Sequence, residues 1–243
     1  MRRAPGTAAR RTVRRYGTDP RRHRRRRPAA LLQQRRGSRR RHGLLQRLQP
    51  PLPLEDWLGD ILEHTGTGHL VRLRPGGTPE VVLDGLQFAN GVALAPDESY
   101  VTVAETGARR LSRLWLTGPQ AGQHDILAAD LPGYPDNMSR GPGGLFWVAL
   151  AGPRSTGLDR LHRTKPALRH AAWSVTRRVR PRPGPLTGVL AVDTSGHIVH
   201  DLRRRSPDYR MVTSVCEHEG HLILGSIHEH ALAVCELPGT PRD

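Results

Sequence analysis

A chain of 243 residues has room for one or two domains, and its formal charge of +16 would ordinarily point to a nucleic-acid or anionic-surface partner. The distribution argues otherwise: residues 1–50 hold 18 of the 38 basic side chains and one of the 22 acidic ones, Asp19, which leaves 20 bases against 21 acids in the rest. The body is therefore close to neutral, and a polyanion-binding role is confined to one segment.

That segment, residues 1–52, reads as Arg-rich low complexity, and blocks of like charge seldom fold. A disordered arm contacting RNA or DNA is one reading. A secretory signal is not supported, because no apolar run of about 7–15 residues follows Met1-Arg2-Arg3. A third reading is translation out of frame. From Pro20 to Pro53 the chain is built almost wholly of Arg, Leu, Gln, His and Pro, the five amino acids with codons beginning in C. A GC-rich gene read one base out of step produces that bias.

From Trp57 onward the pattern is β. Short apolar or alternating runs recur at 70–73, 81–83, 92–94, 100–104, 111–116, 145–150, 188–192, 197–202, 212–216, 221–224 and 231–237. Turn chemistry separates them: Pro75-Gly76-Gly77, Pro96-Asp97-Glu98, Pro142-Gly143-Gly144, 193–196 and 217–220. Between them, 156–185 reads as an excursion with one short helix around Leu161–Trp173; its basic face reads as solvated surface, with a substrate lid as the alternative. A hairpin unit repeats in VALAPDESYVTVAE, SRGPGGLFWVALA, LAVDTSGHIVHDL and SVCEHEGHLILGS. Repetition of one hairpin favours a propeller over a sandwich. Cys216 and Cys235, 19 residues apart in strand-like runs, are read as ordinary buried thiols, with a cross-strand disulfide as the alternative. No run approaches 18 apolar residues, so no membrane span is expected.

Candidate chemistry sits at strand starts. Asn90 precedes Gly91 at an Asn-Gly turn, and Asp136-Asn137 follow Gly133-Tyr134-Pro135. One carboxylate and two amides facing a central channel offer hard oxygen donors, which suit Ca²⁺ better than Zn²⁺, although Asn-Gly and Pro-Asp-Asn are also ordinary turn formers. Glu105, and His228 or His230, are candidates for proton transfer; for Glu105 a strand-end hydrogen bond to backbone is the competing reading. His218, His221, His228 and His230 complete no tetrahedral zinc set at recognisable spacing and read as surface residues.

The motifs FANGVALAPDES, AET, LPGYPDN and GLFWVAL resemble the six-bladed β-propeller family of strictosidine synthase-like proteins, gluconolactonases and paraoxonases, over roughly residues 53–238. The resemblance implies an all-β, six-bladed β-propeller of which about four blades are represented at ~45 residues each, so that the ring as written does not close. It also implies that Asn90, Asp136 and Asn137 ligate a calcium-like ion. Two further ligands of the family have no counterpart here: a Glu near the start of its first blade and an Asn of its FCNN motif. Codons permitted by residues 31–36 give FCNNA when shifted, and those of 42–52 give TVYFSDSSRRF, both in family order immediately before Pro53. The family's strictosidine synthases use a Glu a few residues before an EHxG motif; against RMVTSVCEHEG that place falls on Thr213, whose hydroxyl cannot do such acid–base work.

The expectation is a partial propeller, residues 53–243, whose intact form is a metal-dependent hydrolase of a small lactone or ester. A condensing lyase of the strictosidine synthase kind is one alternative. A non-catalytic interaction protein with a nucleic-acid-binding arm is the other. No cofactor beyond a divalent metal, no membrane partner and a cytoplasmic location are expected; nucleic acid enters only if the Arg-rich segment is genuine.

Overall fold

In the computed structural model, residues 32–37, 43–47, 56–179 and 184–237 are described, the first two stretches through their backbone alone. The described residues form four antiparallel sheets in succession. Sheet one holds β1 (Leu32–Gly37), β2 (Gly43–Arg47), β3 (Gly68–Leu73) and β4 (Glu80–Leu86), with helix α1 (Trp57–Glu63) inserted between β2 and β3. Sheet two holds β5 (Ala89–Leu94), β6 (Tyr100–Glu105), β7 (Arg110–Trp115) and β8 (His124–Ala128). Sheet three holds β9 (Gly133–Arg140), β10 (Phe146–Pro153), β11 (Leu186–Val192) and β12 (Ile198–Arg205), with α2 (Thr156–His162) and α3 (Pro166–Val179) between β10 and β11. Sheet four is the three-stranded β13 (Val212–His218), β14 (His221–Ser226) and β15 (Ala233–Glu236). Each sheet is an up-and-down meander in chain order. The four repeated hairpins of the sequence are β5–β6, β9–β10, β11–β12 and β13–β14.

Successive sheets pack face to face, and their first strands adjoin: β1 with β5, β5 with β9, β9 with β13. This is the radial arrangement of propeller blades. It explains why the central strands read as continuous apolar runs and not as alternation. On β6, Val101 and Val103, with Val92 of β5, face Leu70 and Leu83 of sheet one, while Tyr100 and Ala104 face sheet three. On β10, Phe146, Val148 and Leu150 face sheet two, while Trp147 and Ala149 face sheet four beside Val212 and Leu222. Both faces of these strands are covered, so both sets of alternate residues are apolar. Each large side chain so buried contributes roughly 1.5–3 kcal/mol.

Three parts of the sequence reading change. The Arg-rich segment contributes β1 and β2, paired to each other and through β2 to β3, where irregular chain was expected. The remainder of residues 1–55 lies outside the described residues, and so does any test of the shifted reading frame. The excursion forms two helices in place of one: α2 starts at Ser155, whose hydroxyl accepts from the Leu158 N–H at 3.2 Å, and Pro166 starts α3 where its missing N–H costs nothing. The cysteines are exposed thiols, neither buried nor bridged.

Candidate functional site

Asn90 and the Asp136-Asn137 pair lie within strands, not in turns ahead of them. Gly91 is needed for a different reason than a turn. A Cβ there would meet the Met138 backbone N–H and lie 2.7 Å from both Asn137 Cα and Asp136 O, so only glycine lets β5 approach β9 this closely. Pro135 is tolerated because β9 is the edge of its sheet and pairs on one side only, with bulges against β10. The close approach brings the side chains of two sheets together.

Asn90 is buried, and its amide donates to Thr106 Oγ1 at 3.2 Å. Thr106 in turn donates to the Pro135 carbonyl at 2.6 Å, which ties the β6–β7 turn to β9. The other end of the Asn90 amide, Oδ1, is buried and accepts no hydrogen bond. Asp136 receives hydrogen bonds from the Asn90 side chain and from the Asn137 backbone, yet burial outweighs them and pushes its carboxyl up to about 7. None of the ion pairs among the described residues includes it. Asn137 donates to Asp136 Oδ1 at 3.0 Å and to the Thr213 carbonyl at 2.7 Å, joining the first strands of sheets three and four. Asn90 and Thr213 are each the second residue after a left-handed non-glycine residue, Phe88 (φ 55°) and Met211 (φ 52°). Such backbone costs of order 1–3 kcal/mol and persists only where the surroundings enforce it.

The remaining sequence candidates lie elsewhere. Glu105 is fully buried and fully engaged: it accepts from the Gln87 N–H at 2.7 Å, from Arg110 at 2.6 and 3.0 Å, and from Ser112. It borders a cleft of about 390 Å³ shared with Asp84, His124 and Asp125, between β4 and β7–β8, whose lining includes neither Asn90 nor Asp136. Its observed role is the strand-end tether. His228 is half exposed on the loop after β14, beside Glu229 at 3.3 Å. No described contact brings either residue to Asp136. Thr213 is buried on β13, where the resemblance placed the synthase carboxylate.

Sequence reading missed Thr106, which carries no signal beyond the AET motif, and a histidine pair under the helices. His64, the left-handed C-cap of α1, stacks on His162 of α2 at 4.0 Å between ring centroids. Burial and the His162, Arg169 and Arg110 charges lower His64 to about 4, and His162 is lowered by burial while its Nε2 lies 2.7 Å from the Ile61 carbonyl. Arg109, itself buried, holds Asp159 of α2 at 3.3 Å. The helices therefore sit over the end of the sheets where β5 and β9 begin.

The family model described as strictosidine synthase matches residues 53–119. Strictosidine synthase-like protein 10 of Arabidopsis thaliana is 33% identical over 189 residues, which is 74% of this chain and 50% of that protein. The chain belongs to the strictosidine synthase-like family. It spans about half the length of the curated relatives it matches. Among solved structures, it is similar to a gluconolactonase of Xanthomonas campestris (TM-score 0.51, 15% identity, 87% of this chain and 61% of that one). A calcium-binding protein, regucalcin, of Agrobacterium tumefaciens superposes with TM-score 0.50 at 14% identity, over 81% of this chain and 57% of that one. At these identities the structural likeness establishes the propeller fold. The family membership and the fold both agree with the sequence reading.

No group of three His, Cys, Asp or Glu that could hold a metal occurs among the described residues. Amide oxygens are outside such a set, and here they matter. A buried amide oxygen without a donor, next to a carboxylate raised by burial and lacking a cationic partner, is the donor chemistry of a hard divalent cation. Asn90, Asp136 and Asn137 fit such an ion in kind. They supply fewer than the six to eight oxygens that Ca²⁺ takes, so water or substrate would supply the rest. Among the described residues no helix is long and apolar enough to cross a membrane.

Proposed function

We propose that the intact protein is a divalent-cation-dependent hydrolase of a small lactone or ester, working at the inner ends of β5 and β9. The observation that carries this reading is the unpartnered Asn90 Oδ1 beside the raised Asp136 carboxyl. Asn90, Asp136 and Asn137 would hold the cation, most simply Ca²⁺. When bound, such an ion polarises an ester or lactone carbonyl and stabilises the developing oxyanion.

The chain's own residues prepare that site. Thr106 fixes the Asn90 amide through its NH₂ group, leaving the oxygen without a donor. Asn137 is clamped between Asp136 and the Thr213 carbonyl, so its rotamer is set before any ligand arrives. With Glu105 consumed by Arg110 and Ser112, Asp136 is the carboxylate left to the cation, and a bound divalent ion would hold it ionised against the burial that raises it in the free protein. The likeness to the Xanthomonas gluconolactonase supports a cyclic ester as substrate class. A condensing lyase would need a carboxylate where Thr213 stands.

The test is thermal unfolding and lactone hydrolysis of the full chain with and without millimolar Ca²⁺. Calcium-dependent stabilisation and turnover, both removed by Asn90→Ala and Asp136→Asn, are expected. A chain whose melting ignores every divalent cation would refute the reading.

A further inference from the structure

Each sheet ends in an outer strand that pairs on one side only, and three of these four edges are blunted. β4 is interrupted by register shifts opposite 68–71 and by the left-handed Gly85. β8 has five residues and a register shift, and β15 has four residues. Short or bulged edges of this kind resist pairing with another chain. β12 differs from them. It runs for eight residues, and its register on β11 is unbroken from Arg205 opposite Leu186 to His200 opposite Ala191. Leu202 packs against the core between sheets three and four and His200 stacks on Trp147, which holds the strand in place. Alternate residues of an antiparallel edge point their N–H and C=O groups away from the sheet, so β12 presents a ready ladder to a further strand.

The side chains along this edge decide which strand it suits. Ile198 and Val199 at its start are 43% and 49% exposed, and Arg203, Arg204 and Arg205 at its end are all exposed. Asp201 is the one acid of the strand, and it is spent on Arg203, which donates to it at 2.6 and 2.7 Å. Arg204 and Arg205 make no hydrogen bond or ion pair among the described residues. Being adjacent in a strand, they point to opposite faces, so unpaired positive charge flanks the edge on both sides. A second copy of this chain is a poor partner. Its β12 brings no acid beyond the paired Asp201, so Arg204 and Arg205 of both copies would enter the joint sheet without a carboxylate. Nucleic acid has the charge but no ladder of N–H and C=O groups to match the edge. We propose that β12 receives an extended acidic peptide as a further antiparallel strand, its carboxylates opposite Arg204 and Arg205 and its apolar side chains opposite Ile198 and Val199. This surface lies on the outer edge of sheet three, away from the inner strand that carries Asp136, and does not depend on the hydrolase reading.

The experiment uses the full chain and a blocked peptide in which a run of glutamates precedes alternating valine and threonine, the order an antiparallel partner needs. A second peptide carries lysine for glutamate. A third is N-methylated throughout, so it keeps the charge and loses the ladder. The Arg-rich first 50 residues would also attract glutamate, so the readout is local: backbone hydrogen exchange of residues 198–205. Slowed exchange there with the unmethylated glutamate peptide alone is expected, and Arg204→Glu/Arg205→Glu should require about tenfold more peptide for the same protection. Both side chains are exposed, so that variant should melt as the parent does; if it does not, Arg204→Gln/Arg205→Gln tests the same edge without reversing its charge. Absence of protection at 198–205, equal protection by the lysine or N-methylated peptide, or protection unchanged in the variants overturns the proposal. Concentration-dependent protection without peptide overturns it in favour of self-association.

Discussion

Replacing Asp136 by asparagine keeps the size of the side chain and an acceptor for the Asn137 N–H while removing the charge. In the native protein the carboxyl is raised to about 7 from an ordinary 3.8, chiefly by burial. Between those two values the folded state binds more protons than the unfolded state, so stability falls as pH rises from about 4 to 7 and is level above that. Three units correspond to about 4 kcal/mol, and the partial exposure of the residue reduces this to about 2–4 kcal/mol. Urea unfolding at pH 5 and pH 8 measures it. About two of the three units fall between pH 5 and pH 8, so the wild type should lose about 1–2.5 kcal/mol relative to Asp136→Asn over the interval, because other groups titrate equally in both proteins and cancel. Calcium at a hundred times its dissociation constant should return about 2.7 kcal/mol to the wild type at pH 8 and nothing to the variant. Parallel pH curves for the two proteins would refute the reasoning, since they would mean that the carboxyl is not raised by its native surroundings.

Other substitutions test the frame around the site. Gly91→Ala should cost about 3 kcal/mol or more in urea unfolding, because the added methyl meets only backbone atoms of β9. Glu105→Gln should destabilise by about 3 kcal/mol, as a buried carboxylate shared by Arg110, Ser112 and the Gln87 N–H loses its charge; a proton-transfer role would leave folding intact and remove turnover alone. His64 is lowered to about 4 from 6.5, so the native state binds fewer protons between those values and stability falls as pH drops through that window. His64→Phe should flatten this loss, about 2–3 kcal/mol, in melts compared at pH 4.5 and 7.

Much of the β architecture is legible in the chain. Each apolar run corresponds to a strand, and the hairpin repeat anticipates the meanders, because turn residues such as Pro96-Asp97-Glu98 and 193–196 act locally. Helix α3 runs past its expected end at Trp173 to Val179, since no glycine or proline stop signal follows before Pro181. Strands β8 and β9 were not legible. His124-Asp125 and Pro135-Asp136-Asn137 argue for loops by propensity, and they become strands because each occupies a sheet edge, where one side is free of ladder bonds.

For the site, the sequence determined the residue types: one carboxylate and two amides near Asn-Gly and Pro-Asp-Asn, with Thr213 in place of a carboxylate. Tertiary structure decided what they do. Only the approach of β5 to β9 over Gly91 leaves Asn90 Oδ1 without a donor and desolvates Asp136, whereas Glu105 becomes a buried tether through the β6–β7 hairpin and the Gln87 N–H. Residue identity fixes which atoms can bind or titrate. Desolvation and partner geometry, which decide whether they do, arise from segments that are distant in the chain and meet only when the sheets pack.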